Sequence, residues 1–141
     1  MSAARVLVLW CPDWPAMVYR EEVSAQAPLA VLAGGEVLAC TPAARAQGVR
    51  RGMRRRDAQA RCPELVVKER KLLREIELFD ATIAALAEHA VDISVLRPGL
   101  CALPVPSRFH GGEQEAASVL LEAVVAAGVW DVRAGISDGV F

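Results

Sequence analysis

Six apolar residues, Leu72, Ile76, Phe79, Ile83, Leu86 and Ala90, recur at alternating steps of four and three. That period lays a single apolar stripe along a helix of about five turns, and such a stripe must be buried against something. The flanking sequence says what. Val91–Leu96 alternates like a strand, Arg97-Pro98-Gly99 turns, and Leu100–Val105 returns. Glu113–Ala127 is a second amphipathic helix, with Ala117, Leu120, Leu121, Val124 and Gly128 on one side, and Val132–Ile136 closes as a strand. At the other end of the chain Val6–Trp10 is a continuous apolar run that reads as a buried strand. With residues 13–70 set aside, the order is strand, helix, strand, strand, helix, strand. This is the ferredoxin-like βαββαβ order, an antiparallel sheet with both helices on one face. The fold class is therefore α+β, and the Leu72–Ala90 stripe is read as core rather than as a partner surface.

The segment set aside has its own organisation. Cys11-Pro12 ends the first strand, and Asp13 is placed to cap a helix with Pro15 in its first turn, running to about Ala25. Pro28–Ala33 and Glu36–Thr41, joined by Gly34-Gly35, form a hairpin pattern. Two short helices follow, Pro42–Gln47 and about Arg54–Arg61, separated by Gly48 and Gly52 and closed by Cys62-Pro63, before a short strand at Leu65–Lys68. The chain thus divides into residues 1–12 and 71–141, forming one domain, and a small α/β insertion at 13–70.

Composition excludes several functions. With 54% hydrophobic and 23% charged residues the chain is globular rather than disordered, and a net charge of −1 excludes a uniformly basic nucleic-acid binder. The distribution is uneven: Arg50, Arg51, Arg54, Arg55, Arg56 and Arg61 share one window. Two readings stay open there, contact with a phosphate backbone or a solvated charged face. Cys11, Cys40, Cys62 and Cys101 form no CxxC pair, so metal-ligand spacing is absent and a reducing compartment is implied. No apolar run approaches spanning length, so a cytoplasmic protein with no membrane association is expected. No cofactor is expected either.

Particular residues then narrow the class. The stretch Ala39-Cys40-Thr41-Pro42-Ala43-Ala44-Arg45-Ala46-Gln47-Gly48-Val49-Arg50-Arg51-Gly52-Met53 resembles the fingers motif A-T-x-Y-x-A-R-x-x-G-V-x-x-G-M of the Y-family DNA polymerases. Cys62-Pro63-Glu64-Leu65, Pro28-Leu29-Ala30-Val31, Val91-Asp92-Ile93-Ser94-Val95 and Gly135-Ile136-Ser137 are similar to further segments of that family, in the same order. The resemblance runs from about Val6 to the last residue. It implies a palm, residues 1–12 and 71–141, with fingers inserted at 13–70, and a chain that continues beyond Phe141.

The resemblance also implies where catalytic acids should be. Nucleotidyl transfer uses two divalent cations roughly 3.5–4 Å apart, held by carboxylates. The family's first acidic pair falls on Trp10 and Pro12 and its second on Arg97 and Pro98, so no oxygen ligand remains at any of the four. Hard cations need oxygen ligands, and Arg97 brings a positive charge instead. The triphosphate-contacting tyrosine is replaced by Pro42; its arginine partner survives as Arg45, either a vestigial nucleotide contact or a support of the fingers fold. Pro15 stands at the steric gate. This pattern is similar to the inactive ImuB-like subgroup, which implies no enzymatic activity and an adaptor role in damage-induced translesion synthesis and mutagenesis. The implied partners are DNA, through Arg50, Arg51, Arg54, Arg55 and Arg56, together with the sliding clamp, an error-prone C-family DNA polymerase and a RecA-like accessory protein. These protein contacts are expected mostly outside this chain. The rival reading is an active polymerase that recruits Asp13 and Asp92 as metal ligands. His89 needs no role beyond the end of its helix, His110 sits in a glycine-flanked loop, and Trp14 and Trp130 are read as packing residues.

Overall fold

The computed structural model describes residues 5–105 and 112–138; the His110 loop lies outside them. Two compact units emerge, Met1–Pro12 with Ile76–Phe141, and Asp13–Glu75.

In the first unit, β1 (Arg5–Trp10), β5 (Ser94–Arg97), β6 (Leu100–Pro104) and β7 (Arg133–Asp138) form an antiparallel sheet in the order β5-β6-β1-β7. That is the ferredoxin-like arrangement, and α4 (Leu72–Leu86) and α5 (Gly112–Ala126) occupy its two helical positions. Alternation along β1 assigns the two faces. Leu7 and Leu9 are fully buried, as are their cross-strand partners Leu103 and Cys101. Phe79, Leu86, Ala116, Leu120 and Val124 supply the buried helical positions. Val6, Val8 and Trp10 point to the other, open face. The β5–β6 hairpin turns on Pro98 and Gly99, the latter at φ 91, the pattern a type II turn asks for. Proline at the first turn position has no ladder bond to lose.

The expected stripe on α4 is only partly core. Phe79 and Leu86 are buried, but Leu72 and Ile76 are 46% and 40% exposed, and Glu75 and Thr82 are buried instead. Each has a polar partner. Arg70 grips the Glu75 carboxylate through two bonds of 3.0 and 3.1 Å, and the Thr82 hydroxyl donates to the Leu78 carbonyl. The helix ends at Leu86 rather than Ala90, and β5 begins at Ser94 because Asp92 takes a left-handed conformation, φ 56, that interrupts the extended run.

In the second unit, β2 (Leu29–Ala33) lies between β3 (Glu36–Cys40), antiparallel, and β4 (Val66–Glu69), parallel. Gly34 and Gly35 both have positive φ, 61 and 81, as a two-residue hairpin of matching twist requires. Every residue from Leu29 to Leu32 is buried. Ala44 on α2 (Pro42–Ala46), Ala58 on α3 (Arg55–Arg61), and Val49, Cys62 and Leu65 join that core. Thr41 is fully buried: its hydroxyl donates to the Ala27 carbonyl and accepts from the amides of Leu29 and Ala44, the last as N-cap of α2.

The first helix of this unit is much shorter than expected: α1 covers only Trp14–Met17, and the chain continues in turns. Met17 and Tyr19 are both 2% exposed. Residues two apart lie about 200° around an α-helix, so burying both on one side requires the helix to stop. The Tyr19 hydroxyl then donates to the Glu69 carbonyl.

Candidate functional site

The C-terminal end of β1 and the β5–β6 hairpin carry Trp10, Arg97 and Pro98, positions that the resemblance aligns with the family's acidic residues. Strand register sets four residues side by side across the sheet: Arg97 pairs with Leu100, Leu100 with Trp10, and Trp10 with Arg133. Directly paired residues share a face, so this row lies on the open side of the sheet. The next row, Ser94, Ala102, Val8 and Gly135, is also uncharged. None of β1, β5 or β6 contains an aspartate or glutamate. The Cys11 amide donates to the Gly99 carbonyl at 2.7 Å, which extends the pairing past Trp10. Among the described residues no three His, Cys, Asp or Glu side chains cluster in a way that could hold a metal.

Trp10 is not buried, contrary to what the continuous apolar run Val6–Trp10 suggests. It is 42% exposed, and the Arg133 guanidinium lies 5.5 Å from its ring centroid. Arg133 also approaches Asp131 at 3.5 Å, an exposed pair of little strength. Arg133 escaped the sequence reading; only the β1–β7 register identifies it as the neighbour of Trp10. Trp10→Ala should therefore lower stability by only about 1 kcal/mol, well below the 2–5 kcal/mol of a large-to-small change in a core. A chemical denaturation midpoint measures it, and a loss above about 3 kcal/mol would show the indole to be packed.

Asp13 is the residue before α1, but its side chain caps nothing there: φ is 59, and its carboxylate is drawn elsewhere. Oδ1 accepts from the Cys40 amide at 3.3 Å and Oδ2 receives the Arg45 guanidinium. The surviving arginine of the fingers motif is thus paired with a carboxylate of the same unit. Arg50 donates to the backbone carbonyls of Arg45 and Val49 at 2.7 and 2.9 Å. Arg51, Arg54, Arg55 and Arg56 are exposed, and the last three border a hollow of about 650 Å³ beside Gly34 and Gly35. Glu36 and Asp57 on its rim temper the positive charge.

All four cysteines are buried thiols. Burial pushes Cys11 up to about 12 and Cys101 to about 11, so both stay protonated and unreactive at neutral pH. Trp14 is 2% exposed and donates its indole N–H to the Glu75 carbonyl, a packing role as expected. His89 is exposed, three residues past the end of α4. Among the described residues no helix is long and apolar enough to cross a membrane.

This arrangement, a ferredoxin-like sheet whose first strand is followed by a small α/β unit, is the palm-and-fingers fold of Y-family DNA polymerases. The chain is similar to DinB from Sulfolobus solfataricus, with a TM-score of 0.75 and 19% identity over 94% of this chain and 42% of that one. It is similar to the Dbh ternary complex, TM-score 0.80 and 21% identity over 94% and 41%, and to Dbh DNA polymerase in a post-insertion binary complex, TM-score 0.80 and 19% identity over 94% and 42%. The chain spans about two fifths of the length of those proteins. Residues 15–140 match the model of the impB/mucB/samB family, and the chain belongs to that family. No curated protein matches it.

Proposed function

We propose that the chain is the palm (1–12 and 71–141) and fingers (13–70) of a catalytically inactive, polymerase-like adaptor. It acts in DNA-damage-induced translesion synthesis and mutagenesis, linking an error-prone polymerase to the replication machinery. One observation carries the reading. The sheet strands that carry metal ligands in the family hold no carboxylate here, and the end of the sheet is lined by Arg97, Leu100, Trp10 and Arg133. Two divalent cations cannot be held by that row, since both guanidiniums repel them and neither indole nor leucine offers an oxygen. The Arg45–Asp13 pair supports the same reading, because an arginine neutralised within the chain is a poorer triphosphate ligand.

The ImuB-like pattern at Trp10, Pro12, Pro42, Arg97 and Pro98 is what supports the adaptor role, with sliding clamp, C-family polymerase and RecA-like protein as partners. DNA affinity through Arg50, Arg51, Arg54, Arg55 and Arg56 is supported by their exposure. An active polymerase relying on Asp13 and Asp92 is disfavoured: the Asp13 carboxylate is already shared between Arg45 and the Cys40 amide.

Primer extension tests the proposal. Neither this chain nor the whole protein should extend a primed template with Mg²⁺ or Mn²⁺. Extension that survives purification and is abolished by Asp13→Asn or Asp92→Asn would overturn it.

A further inference from the structure

The open face of the palm sheet carries an exposed aromatic residue and two arginines. Trp10 presents an indole that is 42% exposed in the middle of a four-stranded sheet, with Arg133 against it. Beside it, a cavity of about 330 Å³ is bordered by Val8, Trp10 and the β7 residues Arg133 to Ser137. Gly135 is among its lining residues: it is directly paired with Val8, and a Cβ added there would meet no atom within 4 Å. Packing therefore does not require a glycine at this position, and any side chain would occupy the space next to the indole. Arg97 lies at the far end of the row that contains Trp10 and is exposed.

A part-exposed indole with a guanidinium stacked on it, a shallow apolar recess beside it and a second guanidinium further along the row match one chemistry. Single-stranded nucleic acid presents flat bases for stacking and phosphates at regular intervals, and proteins that hold it combine aromatic platforms with positive grooves. A hydrophobic peptide would use the indole and the recess but would offer no anionic group to Arg97 or Arg133. Asp131 approaches Arg133 at 3.5 Å, an exposed pair of little strength.

We infer that this face is a metal-independent stacking site for single-stranded DNA. One base lies on Trp10 beside Gly135, and the flanking phosphates are received by Arg97 and Arg133. The inference rests on the reading above only in requiring that the row hold no catalytic metal.

The test titrates the chain with an oligothymidine of about twelve nucleotides, within the site sizes of single-strand binders. It is done at low ionic strength in EDTA and followed by fluorescence anisotropy and by tryptophan quenching. Wild type should bind with quenching. Trp10→Ala should weaken binding by about 5- to 150-fold, the stacking contribution of one base, and remove the quenching. Trp10→Phe should recover most of the affinity. Arg97→Ala and Arg133→Ala should each lower the salt slope by about 0.7. Substituting Arg54, Arg55 and Arg56 by Ala should change affinity but leave the quenching intact, which separates the two DNA-contacting regions. Unchanged affinity in Trp10→Ala that remains folded at the assay temperature would overturn the inference. So would absent oligothymidine binding by the folded wild type. Because EDTA removes metal, failure here leaves the primer-extension result standing by itself, and extension with Mg²⁺ does not decide this binding.

Discussion

Trp14→Ala should destabilise the Asp13–Glu75 unit by about 3–5 kcal/mol, the range for truncating a buried aromatic side chain. Trp14 is the largest fully buried side chain of the described residues, and its indole N–H donates to the Glu75 carbonyl at 2.9 Å. Removing it leaves a cavity and also deprives that carbonyl of a donor. Trp14→Phe separates the two effects. It keeps most of the apolar volume, so its deficit should be dominated by the lost hydrogen bond, about 1 kcal/mol. With total domain stability typically about 5–15 kcal/mol, the alanine variant should show rapid amide exchange throughout β2, the strand buried from Leu29 to Leu32. Urea denaturation followed by circular dichroism gives the midpoints. A loss below about 1.5 kcal/mol for Trp14→Ala would mean that the indole is not the anchor of this unit.

Arg70→Ala should be nearly as damaging, for an electrostatic reason. Glu75 is 1% exposed, and its two carboxylate oxygens are gripped side-on by Arg70 Nε and Nη2. Breaking a buried pair by removing one partner leaves an uncompensated charge, at a cost of about 3–5 kcal/mol. The Arg70 side chain is 36% exposed, so water can partly replace the guanidinium and the loss should fall near the lower bound, about 3 kcal/mol. Replacing both partners, Arg70→Met with Glu75→Leu, should recover most of that stability, since an apolar pair of similar volume needs no charge compensation. The double-mutant cycle on denaturation midpoints gives the coupling. If Arg70→Ala loses less than about 1 kcal/mol, the carboxylate reaches water and the pair is a surface interaction.

These two residues show why α4 misled a reading by period. A step of three and four finds a stripe, and Leu72, Ile76, Phe79, Ile83 and Leu86 satisfy it. The face actually buried runs through Glu75, Phe79, Thr82 and Leu86, at the same steps and a slightly different phase. Hydrophobicity alone prefers Leu72 and Ile76 to Glu75. A carboxylate becomes buriable only when a guanidinium five residues earlier is folded onto it, and no periodicity contains that information.

Local chemistry did settle much of the rest. Element order follows from alternation, turn residues and prolines, because those constraints act within a few residues. The Gly34-Gly35 hairpin needs two positive φ angles that glycine alone adopts freely, and it forms where expected. The absence of carboxylates from β1, β5 and β6 is a property of composition that no packing can alter. Tertiary structure decided what each side chain does with its position. Asp13 is 32 residues from Arg45, and their pairing depends on the fold bringing the start of α1 to α2, so a helix cap became an ion pair. Val6–Trp10 is apolar throughout, yet only alternate residues face the helices, because successive side chains of a strand point to opposite sides. Leu7 and Leu9 fell on the buried side and Trp10 on the open one, where pairing of β1 with β7 set Arg133 against its ring.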